Sequence, residues 1–318
     1  MAENSIVIDI EEVSILPLQE NERWLVLIVD FDEQPSTEAW GPQQAQSLLD
    51  DVAQNYIHQL SGSSTEIQID VNTKVTRASG QLAKYGSDTD GNRDTGADGM
   101  FLPMSLAEET VNDHKNIVDW DEYDLDNDGL VDRLLILHTS KGQEENPGQS
   151  SNIWSHFTQF DTSIDVDQDM KVGHYTMASL RTGSSGMGTI LHEMLHQMGA
   201  LDLYPVHDTE QLNDWKGVGD WDIMASGNWN GGGVWPALPT AASLDLLQAG
   251  RSLTMDLTWP ANAQAPCIGP SVQMMGMSEN GTSLKIPINE VETVWIEYRS
   301  NSGFDQHLPG SGILVTYQ

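Results

Sequence analysis

The sequence predicts an α+β fold: a mixed sheet with a backing helix and a site-bearing helix over residues 1–258, followed by a β-rich region over 259–318. Three observations predict it. WLVLIVDF at 24–31 is a short apolar run ending in acid, the pattern of a buried strand. Residues 42–60 carry apolar side chains at helical spacing. After Trp259-Pro260, the segments SLKIPI, TVWIEY and GILVTY read as successive strands with no helix between them. With 318 residues, 38% of them hydrophobic, the chain can fill a real core, so wholesale disorder is excluded.

In chain order, Pro42 opens the first helix. Its stripe is Ala45, Leu48, Leu49, Val52, Ala53, Tyr56, Ile57 and Leu60, and Gly62 ends it. Ile67, Ile69 and Val71 alternate as a strand does, and residues 86–99 form a Gly- and Asp-rich loop. Ser105 with Glu108 reads as a capping box opening a helix that runs to about Val118. An acidic loop at 121–130 leads into a strand at 130–138, and a polar loop at 141–152 leads to another at 170–178. A helix spans about 185–198 and stops at Gly199, an irregular Trp- and Gly-rich stretch covers 204–236, and a short helix at about 240–249 ends at Gly250.

Charge limits the partners. Fourteen Lys+Arg against 48 Asp+Glu give a net charge of −34, which repels nucleic-acid phosphates and anionic membranes and attracts cations. No apolar run is long enough to span a bilayer. The acidic opening lacks the layout of a signal peptide, so the chain is either cytosolic or a processed form. Its end, directly after an apolar strand, reads as trimmed or as that of a cleaved precursor. The single cysteine, Cys267, forms no internal disulfide and is assigned no role.

LHEMLHQMGALDLY carries the chemistry. His192 and His196, four apart on a helix, share one face at about 6 Å between Cβ atoms, close enough for one metal ion. Glu193 can reach water at that metal without being a ligand, as a general base must. Gly199 lets the chain turn back, which makes Asp202 the third ligand. Two histidines and one carboxylate leave a Zn²⁺ site with an open position. His207 is the fallback third ligand. The bland alternative is a core helix whose histidines are satisfied internally.

Two acidic loops follow calcium logic. Asp124, Asp126, Asp128, Gly129 and Asp132 match EF-hand positions 1, 3, 5, 6 and 9, and Leu130 would offer its carbonyl at position 7. Position 12 is Leu135, so a carboxylate from elsewhere, such as Glu122, would complete the set. Asp88, Asp90, Asn92, Asp94 and Asp98 form a second candidate, without the glycine at the sixth place. Both are otherwise solvated acidic turns.

Met224 in WDIMASGNW resembles the Met-turn of metzincins, although Ser226 stands where those proteins often carry a tyrosine. With WLVLIVDF, DLDNDGLVDRLLILH, NIWSHF, GTILHEMLHQMGALDLY, GVGDWDIMASGNW and WIEYRSNSGFDQHLPGSGILV, the chain resembles the immune-inhibitor-A-like secreted bacterial metalloproteases, zincins with a metzincin-like catalytic domain. The resemblance implies zinc on His192, His196 and Asp202, catalysis by Glu193, a calcium requirement, secretion as a zymogen, and β-rich domains after the catalytic one. It implies an endopeptidase, acting as a monomer on protein or peptide substrates. A calcium-dependent adhesion module with a structural zinc, and an exopeptidase, are the rival readings. Trp154 and His156 favour packing over a place in the cleft, His138 and His174 read as structural, and Tyr204 lies beneath or beside the metal site. NWNGGGVW at 228–235 is either a cleft wall or a loop needing positive φ.

Overall fold

A computed structural model describes residues 14–146, 148–204, 217–255 and 271–318. His207, Cys267 and the segment around residue 258 lie outside the described residues.

The first strand explains the architecture. In β1 (Asn21–Asp30), Trp24, Val26 and Ile28 enter one core while Leu25, Leu27 and Val29 enter another. A strand buried on both faces reads as one apolar run rather than an alternation. Helix α1 (Pro42–Leu60) backs the first face with the predicted stripe. Next come β2 (Glu66–Arg77), the short α2 (Ala83–Gly86) and α3 (Pro103–His114), whose Leu106, Ala107 and Val111 fill the second core. Strands β3 (Leu134–His138), β4 (His156–Asp165) and β5 (Lys171–Ser179) complete a sheet of order β2-β1-β3-β5-β4. All pairs are parallel except β4–β5.

Helix α4 (Met187–His196) lies in the first core, on the same face as α1. Glycines let it sit close: a Cβ on Gly188 would stand 1.8 Å from the Asn228 carbonyl. After α5 (Ala241–Leu246) a second sheet runs β6-β7-β8-β9, from Ser252–Thr254, Ser283–Pro287, Thr293–Arg299 and Gly312–Tyr317. Its first strand therefore precedes residue 258. Buried Arg299 joins this sheet to the first part: it pairs with Asp305 at 2.6 Å and donates to the carbonyls of Trp221 and Leu238.

Two local expectations differ. Helix α3 opens at Pro103, whose fixed φ suits the first helical position, so Ser105 sits inside the first turn and donates to the Leu102 carbonyl instead of capping. Strand β4 is absent from the sequence reading. It is an edge strand with an irregular register between Gln159 and Ile164, which breaks its alternation.

Candidate active site

Helix α4 brings His192, Glu193 and His196 together, with ligand-capable atoms within 4.8 Å of one another. The imidazole rings stand edge to face, centroids 4.9 Å apart. Gly199, at φ +96°, turns the chain at the helix end. That turn does two things. It sets the Ala200 carbonyl 2.8 Å from His196 Nδ1, and it returns Asp202 so that its Oδ1 lies 3.1 Å from His192 Nε2 and 3.4 Å from His196 Nε2.

The other ring nitrogen of His192 lies 2.8 Å from the Ile223 carbonyl. A carbonyl only accepts, so both Nδ1 atoms carry the proton and both Nε2 atoms turn towards the carboxylate. Asp202 Oδ1 is buried without a hydrogen-bond partner of good geometry among the described residues. Two imidazole nitrogens and a carboxylate oxygen with no well-aligned hydrogen bond converge on one point, an arrangement that could hold a cation. Neutral histidine with a backbone-bonded second nitrogen is the donor set zinc takes.

In the chain alone the histidines and the carboxylates lean on one another electrostatically. Burial alone would depress His192, but the adjoining Asp202 and Glu193 carboxylates carry it up to about 9. Burial would raise Asp202, yet the two histidines hold it well below the usual carboxylate range. Burial pushes the Glu193 carboxyl up, against the pull of His192, His196 and the Phe157 amide.

A supporting frame fixes these side chains. Gln197, fully buried, accepts from the Leu134 amide and donates to the Leu134 carbonyl, which ties the end of α4 to β3. Met224 is buried in the core shared with α4, and its carbonyl accepts from the Leu203 amide, next to Asp202. Asp222 holds that turn: its carboxylate accepts from the Met224 and Thr240 amides and the Thr240 and Ser243 hydroxyls. Sequence reasoning missed Asp222, since one acid among many carries no signature.

A cavity of about 460 Å³ opens beside Glu193 and His192. Tyr204, Ser226, Asn228 and Trp229 line it, and Tyr204 stacks on His192 at 6.2 Å. Trp154 lines it too, so this residue faces the cleft rather than serving only as packing. His156 packs edge-on against Phe101 and Tyr175. His138 and His174 are buried, and burial pushes them down to about 3 and about 4. Gly231, Gly232 and Gly233 adopt the positive φ expected of the NWNGGGVW loop.

Of the acidic loops, one converges. Carboxylate oxygens of Asp124, Asp126 and Asp128 lie within 4.8 Å of one another. Positive φ at Asn127 and Gly129 curls the loop, and Asp124 accepts from the Asp128 and Gly129 amides. Asp132 is buried and bonded to the Leu125 amide; burial and the neighbouring aspartates push it up to about 6. Leu130 bridges to Lys171. Glu122 does not complete the set: it pairs with Arg23 at 2.7 Å, a nearer opposite charge. In the other loop Asp88 and Asp94 turn inward while Asp90 and Asn92 are exposed, and the carboxylates do not gather. Asp88 accepts from the Asp94 amide and the Gln143 side chain, and Asp94 Oδ2 accepts from the Trp154 amide.

The chain is 27% identical over 203 residues to immune inhibitor A of Bacillus thuringiensis subsp. alesti, which takes in 55% of this chain and 28% of that protein. It is 28% identical over 197 residues to the pre-pro-metalloprotease PrtV of Vibrio cholerae, 54% of this chain and 21% of that one. The match thus spans about a quarter of the length of these relatives. Among solved structures, metalloproteinase-II from Bacteroides fragilis is 16% identical, with 74% of this chain and 57% of that one covered at a TM-score of 0.34. OgpA from Akkermansia muciniphila is 13% identical, with 98% and 87% covered at 0.38. At those scores nothing about this chain rests on either structure. The model of the immune inhibitor A peptidase M6 catalytic domain matches residues 31–244, well over half of the chain, and the chain therefore belongs to the immune inhibitor A family of metalloproteases.

Proposed function

We propose that this chain is the catalytic part of a zinc-dependent endopeptidase acting on protein substrates outside the cell. The observation that carries the reading is the convergence of His192 Nε2, His196 Nε2 and the partnerless Asp202 Oδ1 beside an open cleft. Those three residues would hold the zinc. When bound, zinc supplies Lewis acidity, which polarises the scissile carbonyl and acidifies water. Glu193 takes a proton from the attacking water and returns it to the leaving amine. Its buried carboxyl, held above the usual range, suits a group that must both take and give a proton. The substrate backbone pairs with β4, the edge strand beside α4, in the manner of an added strand.

Calcium is the second part of the proposal. Asp124, Asp126 and Asp128, with the Leu130 carbonyl and Asp132, hold one ion, because like charges this close repel without a cation. A second calcium at Asp88 and Asp94 is supported by the partnerless, buried Asp94 Oδ1; exposed Asp90 and Asn92 would swing in to join it. Maturation from a precursor is supported by the name of one relative, a pre-pro-metalloprotease, and secretion is proposed with it. Among the described residues no helix is long and apolar enough to cross a membrane. The protein is proposed to act as a monomer.

Cleavage of casein with mapped products, with and without a zinc chelator, tests the reading. Internal cuts abolished by the chelator are expected. Terminal trimming would favour an exopeptidase, and an intact substrate over zinc-loaded protein would favour a binding module.

A further inference from the structure

We propose that Arg93 and Trp154 form a carboxylate-recognising subsite in the cleft, so that the enzyme prefers substrates presenting a carboxylate beside the scissile bond. This rests on the reading of the cleft as a peptidase site.

The guanidinium of Arg93 lies over the Trp154 ring, its Cζ 3.6 Å from the ring centroid. Both residues line the cavity that holds His192 and Glu193. Stacking occupies the face of the guanidinium and leaves its edge, where the N–H donors sit, free. Among the described residues no carboxylate comes within ion-pair distance of it, and its N–H groups make no hydrogen bond there. The acids nearby are occupied elsewhere. Both Glu144 oxygens accept from Ser155, from its hydroxyl at 2.8 Å and its amide at 3.2 Å. Asp94 is turned under the loop to the Trp154 amide.

That bond gives the subsite its rigidity. Asp94 follows Arg93 in the chain and grips the backbone of Trp154, so one buried side chain fixes both halves of the stack relative to each other. Asp88 closes the loop by accepting from the Asp94 amide and ties it to Gln143. The second acidic loop thus acts as a mount for a cation. In a chain with only 14 Lys+Arg, an arginine with unused donors facing the catalytic glutamate's cavity is placed for an anion. A planar fork of donors matches a carboxylate. The carboxylate has two sources, an Asp or Glu side chain or the substrate's own C-terminus.

Matched peptide pairs test it: Glu against Gln at each residue flanking the mapped cut, and a free against an amidated C-terminus. Wild type is expected to favour the carboxylate member at one place by about tenfold in kcat/KM, the scale of one partly exposed charge-assisted contact. In Arg93→Gln the ratio falls towards one, in Arg93→Lys it is reduced because the planar stack is lost, and in Arg93→Glu it inverts. Binding of the same pairs to the Glu193→Ala form, read by calorimetry, should show the same preference. A preference at the free terminus assigns the carboxylate to the substrate's end; one at a side chain assigns it there. Cleavage by wild type without any carboxylate preference, or a preference unchanged in Arg93→Gln and Arg93→Glu, overturns the subsite and leaves the peptidase standing. A binding preference in Glu193→Ala with no cleavage by wild type would do the reverse.

Discussion

The end of helix α4 and the loop at 124–132 are both candidate metal centres, and they are built in opposite ways. At α4 each side chain is held by something other than a metal: His192 by the Ile223 carbonyl, His196 by the Ala200 carbonyl, and the helix end by Gln197 on β3. His192 and Glu193 are buried. In the loop, Asp126 and Asp128 are exposed, and the bonds to Asp124 come from the loop's own amides. The first geometry is held by hydrogen bonds from the core and from the turn at the helix end. The second is a cluster of like charges, two of the three exposed, with no core group holding it. Loss of zinc should therefore remove activity with little change of fold, and loss of calcium should loosen the fold with little change in zinc.

The largest expected effect is at the helix. His192→Ala should lose zinc by elemental analysis and lower casein cleavage by about a thousandfold or more, with far-ultraviolet circular dichroism unchanged. Retained stoichiometric zinc would break the contrast. Asp222→Ala comes next. It leaves four buried donors without an acceptor, and should cost about 3–5 kcal/mol in denaturant unfolding while also weakening zinc. If zinc affinity were untouched, the turn at Met224 would not be what orients His192.

Calcium removal should be smaller. At a hundredfold excess over Kd an ion adds about 2.7 kcal/mol, so a calcium chelator should lower Tm by several degrees. Asp126→Asn with Asp128→Asn should abolish that dependence and keep zinc. The smallest effect belongs to the loop at 88–94. Burial, with Asp88 and Glu144, pushes Asp94 up to about 7. A carboxyl whose folded value is raised stabilises most at low pH, and the contribution is lost as pH rises through the folded value. In calcium-free buffer the chain should lose about 1.4 kcal/mol between pH 6 and pH 8 from this group. Asp94→Asn should flatten that slope, as followed by denaturant unfolding.

The difference between the two centres also decides what could be read in advance. Spacing is local, so the shared face of His192 and His196, the Gly199 turn and the alternation of Asp124, Asp126 and Asp128 are all visible in the sequence. The buried run of β1 and the stripe of α1 are visible for the same reason. What fixes the site is not local. Ile223, 31 positions from His192, contributes a backbone carbonyl, which no residue type announces. Arg93 meets Trp154 only after the loop folds under, and Arg299 joins Leu238 across 61 positions. Strand β4 was hidden because an edge strand with a bulge does not alternate, and Glu122 was drawn to Arg23, a partner 99 residues away.

The most direct measurement compares wild type with Glu193→Gln for zinc content and casein cleavage in the same preparation. The expected result is one zinc per chain in both and cleavage in wild type alone. Full cleavage by Glu193→Gln, or a wild type that cleaves while holding no metal, would contradict the account.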